Sequence, residues 1–588
     1  MKTGSLTTIV RTTLSTLLIT TWLVGAQPPA REPIAIYLNW ASYDELSKHT
    51  PVRLTEELAM KELDQVLRLR QKGVRIDYYV MDVFWWDPEN GYRTWRKQDW
   101  PNGGDPWLKK CIENGIKPGL WLATNTMPRL KLAPTWRDSI ARGGSSLSLF
   151  EGGFLSDLIS TMQYWYDRGV RLFKLDFGEF GAATLSAEQI RSRAEIWNLN
   201  QNALIVALHS FRQKNPEVVL LGYNTFVEDN EQLYNTSTPF HKAMDTRWLE
   251  AFDSLYAGDP RPSDVPAANF WRSNDMYSDH VVRRLEENGF PLERIDSSSF
   301  MIGDTETAYW RKTAGWKGML LLSLARGGWM NTYYGSLEML SDEDVAWFAR
   351  LQRTFLPLQS LGRTHSFGGL PGQAQPYGFA TVTDGGAWYT VVNPRQATAL
   401  VRLPSFSPYQ VPLVRGRVQF RDAGFRAQVD GDTVTLGPEQ LALVGYGKFA
   451  GGEYDFGEQS DVRIPDRISP LPTKLVQEPD GSVAVSLQAP AEGDIRIILR
   501  QTQPDGLALR SGGYMAPDTN PMFFLAAQQG GQALPVGLQF TRYAWPGLSW
   551  LAGEIKAGSY RPGESLKITG RSLETREKRL AVEVYNVQ

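Results

Sequence analysis

The sequence predicts an α/β protein: a (β/α)8 TIM barrel followed by all-β sandwich domains. Three observations carry that prediction. From about residue 33 to 355, short apolar, β-branched or aromatic runs alternate with helical patterns, as a parallel sheet wrapped by helices requires. After about residue 360 the helical periods vanish, and short alternating runs follow one another between Gly, Pro and Asp turns. Near residue 450 a Gly- and acid-rich link, FAGGEYDFGEQSD, separates one such β pattern from a second.

Ahead of the barrel, residues 1–26 read as a cleavable leader. Lys2 and Arg11 supply its positive region, LSTLLITTWLVGA its apolar stretch, and Val24-Gly25-Ala26 a small-residue cleavage site. The apolar run is short for a membrane span, and no Cys follows the cut. The expected mature protein is therefore secreted or periplasmic, without a membrane span or a lipid anchor.

The barrel is expected over 27–358. Its strand-like runs are IAIYLNW, IDYYVMDVFWW, KPGLWLATN, RLFKLDFGE, VVLLGYNTF, AFDSLYAGDP, SSSFMIGDT and MLLLSLARGGWMNTYYG. The last also suits a helical period in its first half. Helical stretches between them include LTEELAMKELDQVLRLRQKG and DPWLKKCIENG, each with Gly where a helix C-cap falls, and LSAEQIRSRAEIWNLNQNALIVALHSFRQKN. An antiparallel β-sandwich is expected over 359–450 and a further all-β domain over 451–588.

Composition removes several function classes. Lys+Arg 62 against Asp+Glu 64 gives a net charge of -2, without the basic footprint of a nucleic-acid binder. A single cysteine, Cys111, rules out an intramolecular disulfide and a Cys-built zinc site. The five His show no H-x-x-x-H or H-E-x-x-H spacing and the Gly-rich turns RGGWMN and FGGLPGQ no G-x-G-x-x-G or phosphate-loop spacing, so neither a metal nor an organic cofactor of nucleotide type is expected. His209 falls in an apolar helical pattern and reads as a core residue. Aromatic residues make up 12% of the chain, including 20 Trp, which fits large β-rich cores and equally fits platforms for sugar rings.

In a barrel of this type the reacting groups come from the C-terminal ends of the strands. Here those ends carry Asn39-Trp40, Asp82 with Trp85-Trp86, Trp121 with Asn125, Lys174 with Asp176, Tyr223-Asn224, Gly258-Asp259 and Gly303-Asp304. Several carboxylates gathered at one mouth push their pKa values apart, which is how a site obtains an acid and a base together. Lys174 and Asp176, at i and i+2 on a strand, share one side, and a cation beside a carboxylate favours the anion a nucleophile needs.

The K-x-D at the end of the fourth strand resembles the nucleophile strand of the clan D retaining α-glycosidases: the α-galactosidases (melibiases) and the related α-glucosidase/α-xylosidase family. FKLDFGE is especially similar to the latter, whereas LSDEDVAWFARLQ and the β-sandwich after it are more like melibiases. MDVFWW is similar to the melibiase Asp-x-x-Trp strand that grips a sugar hydroxyl, and GIKPGLWL to the third strand of both groups. The resemblance runs over roughly residues 33–450.

It implies double displacement on an oligosaccharide or polysaccharide α-glycoside, most closely an α-galactoside, with Asp176 as nucleophile. The acid/base is then an Asp near the sixth strand. Asp259 in LYAGDPRPSD leads, Asp275 in NFWRSNDMYSD is its rival and Asp304 in MIGDTETAYW a third choice; those not used as acid would hold sugar hydroxyls. Substrate contacts are expected from Asp82, Lys174, Asn224 and Arg272, and apolar faces from Trp85, Trp86 and Trp121. Two alternatives stay open: an α-glucosidase or α-xylosidase, and a barrel that binds glycans without turning them over.

Overall fold

The computed structural model describes residues 31–40, 54–83, 85–87, 89–126, 133–223, 226, 245–257, 263, 265–267, 270–296, 300–303, 315–407, 409–502, 523–538, 550–572 and 579–588. The leader lies outside them. Among the described residues no helix is long and apolar enough to cross a membrane.

Eight staves form the barrel: β1 (Ile34–Leu38), β2 (Tyr78–Met81), β3 (Lys117–Ala123), β4 (Leu172–Asp176), β5 (Val219–Gly222), β6 (Ser254–Tyr256), β7, whose two ends are Ile295–Asp296 and Met301–Ile302, and β8 (Met330–Gly335). Every neighbouring pair is parallel. The ring is nearly closed: Ile295–Asp296 meets β6 at Leu255↔Ile295 and Met301–Ile302 meets β8 at Met301↔Tyr334, with residues 297–299 between them outside the described ones. Such staves are buried on both faces, which explains their almost unbroken apolar runs. Gly119 on β3 is required by close approach, because a Cβ there would lie 2.8 Å from Val80 Cγ2.

The helices around the ring are α1 (Glu56–Gln71), α2 (Asp105–Glu113), α3 (Phe154–Tyr166), α4 (Leu185–Ile190), α5 (Arg193–Lys214), α6 (Trp248–Ala251), α7 (Phe270–Glu287), α8 (Trp316–Ala325) and α9 (Asp342–Gln359). Local chemistry sets their starts: Thr55 Oγ1 accepts from Leu58 N at α1, and capping boxes built on Ser192 and Ser341 begin α5 and α9. Three readings of the sequence change. The long stretch from Leu185 breaks in two at Arg191. MLLLSLA is the buried helix α8 and only MNTYYG is strand. His209 is exposed and pairs with Gln213 Nε2 at 2.9 Å. Cys111 is buried as expected, and burial pushes its thiol up.

The second domain carries a six-stranded sheet in the spatial order Thr364–Gly368, Tyr377–Thr383, Gly386–Val392, Leu441–Gly447, Arg417–Gly424 and Gly457–Ile464. Its last strand extends the sheet past residue 450, because the end of the apparent linker, from Gly457, is a parallel partner of Arg417–Gly424. Two five-stranded antiparallel sheets make the third domain. That domain packs on the loop that follows β6: Trp550, fully buried, donates its indole N–H to Ser263 O at 2.9 Å.

Candidate active site

At the C-terminal end of β4, Asp176 is buried with both carboxylate oxygens engaged. Oδ2 accepts from Trp121 Nε1 at 3.1 Å, and Oδ1 accepts from the backbone N–H of Phe177 at 2.8 Å. Phe177 holds φ 48°, a left-handed conformation unusual for an aromatic residue and costly by about 1–2 kcal/mol. The kink is held by the neighbouring loop: Asn125 N and Thr126 N donate to Phe177 O, while Asn125 exchanges side-chain hydrogen bonds with the backbone of Glu179. Such backbone strain clusters at functional sites.

Lys174, two residues earlier and facing the lumen, makes its ion pair past β3 to the end of β2. Its Nζ lies 2.7 Å from Asp82 Oδ2, both groups buried. The expected pairing of Lys174 with Asp176 is thus replaced by one between β4 and the end of β2. Asp82 is further fixed by Val83 N, which donates to Oδ1 at 2.8 Å, and by its own N–H, which donates to Asn39 Oδ1 at 2.8 Å. Lys174 Nζ also lies 3.6 Å from the Tyr223 ring centroid, a desolvated cation–π contact.

The tryptophans are placed less uniformly than the sequence suggests. Trp121 reaches Asp176 with its N–H edge while one face stacks on Trp86, centroids 5.3 Å apart and 13° between planes. Trp85 belongs to the core: it is fully buried, its ring packs on Trp95 at 4.6 Å and on Trp165 at 5.8 Å, and its N–H goes to Trp121 O. Trp86 and Trp121 are fully buried too, so the platform role expected of all three is corrected: their faces pack on protein. Among the described residues of the site, Phe177 presents its ring to solvent, 39% exposed and edge-on to Trp121.

Arg272 and Asp275 lie elsewhere. They sit on α7, where Arg272 Nη1 donates to Asp275 Oδ2 at 3.0 Å, Nη2 to Asp422 Oδ2 of the second domain at 2.8 Å, and Nε to Glu439 O at 3.0 Å. All three charged groups are buried in the barrel–sandwich seam, which corrects both the sugar-contact reading of Arg272 and the mouth position expected for Asp275. Burial pushes Asp422 up even though Arg272 opposes it. The reason for the misplacement is that α7 was not legible as a helix. Asn224, Asp259 and Asp304 lie outside the described residues.

The sequence reading missed Asp296, on the first end of β7. It is wholly buried, accepts from Thr332 Oγ1 at 2.8 Å, and burial pushes its carboxyl up to about 7. The signal was alternation: Ile295 joins the outer core, so Asp296 must face inward. Among the described residues no three His, Cys, Asp or Glu side chains group as metal ligands.

No protein-family model matches the chain, and no curated protein matches it. Solved structures do share its fold. A GH36 α-galactosidase, AgaA, from Geobacillus stearothermophilus is 13% identical with a TM-score of 0.51, the match covering 71% of this chain and 56% of that chain. A variant of that enzyme in complex with 1-deoxygalactonojirimycin gives the same figures. The α-galactosidase from Lactobacillus brevis is 11% identical with a TM-score of 0.49, covering 71% of this chain and 55% of that one. This chain therefore spans little more than half the length of these relatives, and what it shares with AgaA is the fold: a TIM barrel followed by a β domain.

Proposed function

We propose that this chain is an exported, retaining exo-acting α-glycosidase, of α-galactosidase type, that works by double displacement. The observation that carries the reading is Asp176: a buried strand-end carboxylate with fixed donors on both oxygens, beside a lumenal Asp82–Lys174 pair, in a barrel where strand ends host chemistry. Asp176 Oδ attacks the anomeric carbon, and Asp259 protonates the departing glycosidic oxygen, then takes a proton from the water that opens the glycosyl ester. Retention requires the two carboxyls to stand about 5–5.5 Å apart. Asp82 accepts from sugar hydroxyls, with Lys174 steadying it. The galactose preference is supported by the melibiase-like MDVFWW strand and by fold likeness to AgaA.

A panel of nitrophenyl α-glycosides tests the reading on wild type and Asp176→Asn. Hydrolysis abolished by the substitution is expected, and a wild type inert on every sugar removes the hydrolase assignment. Azide added to Asp259→Ala and Asp304→Ala identifies the acid/base, since azide restores turnover only where the missing group was the base of the second step.

A further inference from the structure

The lumen holds one more acid than the proposed chemistry uses. Asp296 Oδ2 has a single donor, Thr332 Oγ1, and Oδ1 has no hydrogen-bond partner among the described residues. Its strand-pair neighbour is Tyr256, whose ring stacks on Tyr223 with centroids 3.3 Å apart and 10° between planes. Lys174 Nζ stands 3.6 Å from the Tyr223 centroid; with Tyr256 filling one face, the ammonium must occupy the other. The Tyr223 and Tyr334 hydroxyls meet at 2.7 Å and close this layer.

Lys174 is therefore shared electrostatically between two buried carboxyls. It touches Asp82 at 2.7 Å, and its charge also acts on Asp296. Among the described residues, the other charged groups are spoken for or remote. Asp176 has its own donors. Arg294, two residues before Asp296, donates to the carbonyls of Leu249, Phe252 and Asp253. Arg31 and Lys117 lie over Trp329 and Tyr78 at the opposite end of the barrel. One ammonium cannot neutralise two separated buried anions, and an uncompensated one is costly.

We infer that Asp296 is a positioning residue for the sugar-gripping pair. As a neutral acid it leaves Lys174 seated on Asp82; as an anion it draws the ammonium down the lumen and loosens Asp82. The inference rests on the α-glycosidase reading only in taking Asp82 to hold a sugar hydroxyl. Burial, which raises the Asp296 carboxyl to about 7, puts the change within reach of ordinary assay conditions.

The test follows KM for the nitrophenyl α-glycoside that wild type hydrolyses, from about pH 5.5 to about pH 8.5. Wild-type KM should rise about 5- to 10-fold through an inflection near neutrality. In Asp296→Asn it should stay at the low-pH value throughout, with kcat retained. Thr332→Val, which removes the donor that favours the anion, should move the inflection to higher pH, and it serves also if Asp296→Asn fails to fold. An inflection unchanged in both variants, or absent from wild type, overturns the inference. Two readouts need no turnover and so separate this idea from the hydrolase assignment. The infrared carbonyl band of a buried protonated carboxyl should be lost on raising pH in wild type and be missing in Asp296→Asn. Crystals grown at both pH values should show the Lys174–Asp82 contact lengthened at high pH in wild type alone; an unchanged contact refutes the proposal.

Discussion

The indole N–H of Trp121 ends 3.1 Å from Asp176 Oδ2, tying the end of β3 to the end of β4. A hydrogen bond to a charged acceptor contributes about 1.5–3 kcal/mol. Trp121→Phe keeps an aromatic face on Trp86 and deletes the donor. Turnover of a nitrophenyl α-glycoside should fall about 10- to 100-fold in kcat with little change in KM. Wild-type kcat in this variant would detach Trp121 from the reacting carboxylate.

Asp176→Asn removes the proposed nucleophile while preserving shape. Loss of about 10³-fold or more in kcat is expected, with an unaltered circular dichroism spectrum. Retention of activity above a tenth of wild type would show that another group attacks the sugar.

Arg272 belongs to the seam, so its substitution should be read in stability. Arg272→Ala leaves Asp275 and Asp422 buried and without their cation, a loss of about 3–5 kcal/mol. Denaturant midpoints should drop, while kcat/KM per folded molecule stays within about twofold. A catalytic defect larger than the folding defect would return Arg272 to the mouth.

Asp296 also predicts a slope in stability against pH. Its native pKa, raised by burial from 3.8 to about 7, means that the folded state holds the proton more tightly than the unfolded chain. The group's contribution is therefore complete below about pH 4, falls as pH rises from about 4 to about 7, and levels off above, by something on the order of 4 kcal/mol. Asp296→Asn should remove that slope, so the variant gains on wild type at pH 8 relative to pH 4. Parallel midpoints at the two pH values would contradict the assignment.

Much of the barrel was readable because its staves announce themselves. LFKLD alternates outward Phe173 and Leu175 with inward Leu172, Lys174 and Asp176, and the strand ends where the polar residues begin. Helix α8 was hidden by the opposite circumstance: it is buried all round, so MLLLSLA shows no polar face to betray a helical period. In α7 the polar residues Arg272, Asp275 and Asp279 point into a protein interface, which inverts the usual pattern of an amphipathic helix. The partner of Lys174 was beyond local reading, since i and i+2 on one strand share a side whereas Asp82 arrives from 92 residues away. Thr332, which holds Asp296, comes from the stave on the far side of the closure.

The seam between barrel and sandwich has a practical corollary. Asp279 on α7 accepts from Arg326 Nε at 2.6 Å and from the Tyr377 hydroxyl of the second domain at 2.6 Å, alongside the Arg272–Asp422 bridge. A barrel severed after α9 would expose this charged, apolar-flanked surface without the Asp422 carboxylate and the Tyr377 hydroxyl, so it is expected to precipitate instead of folding alone. Shuffling of modules between enzymes would thus have to move these two as a single cassette.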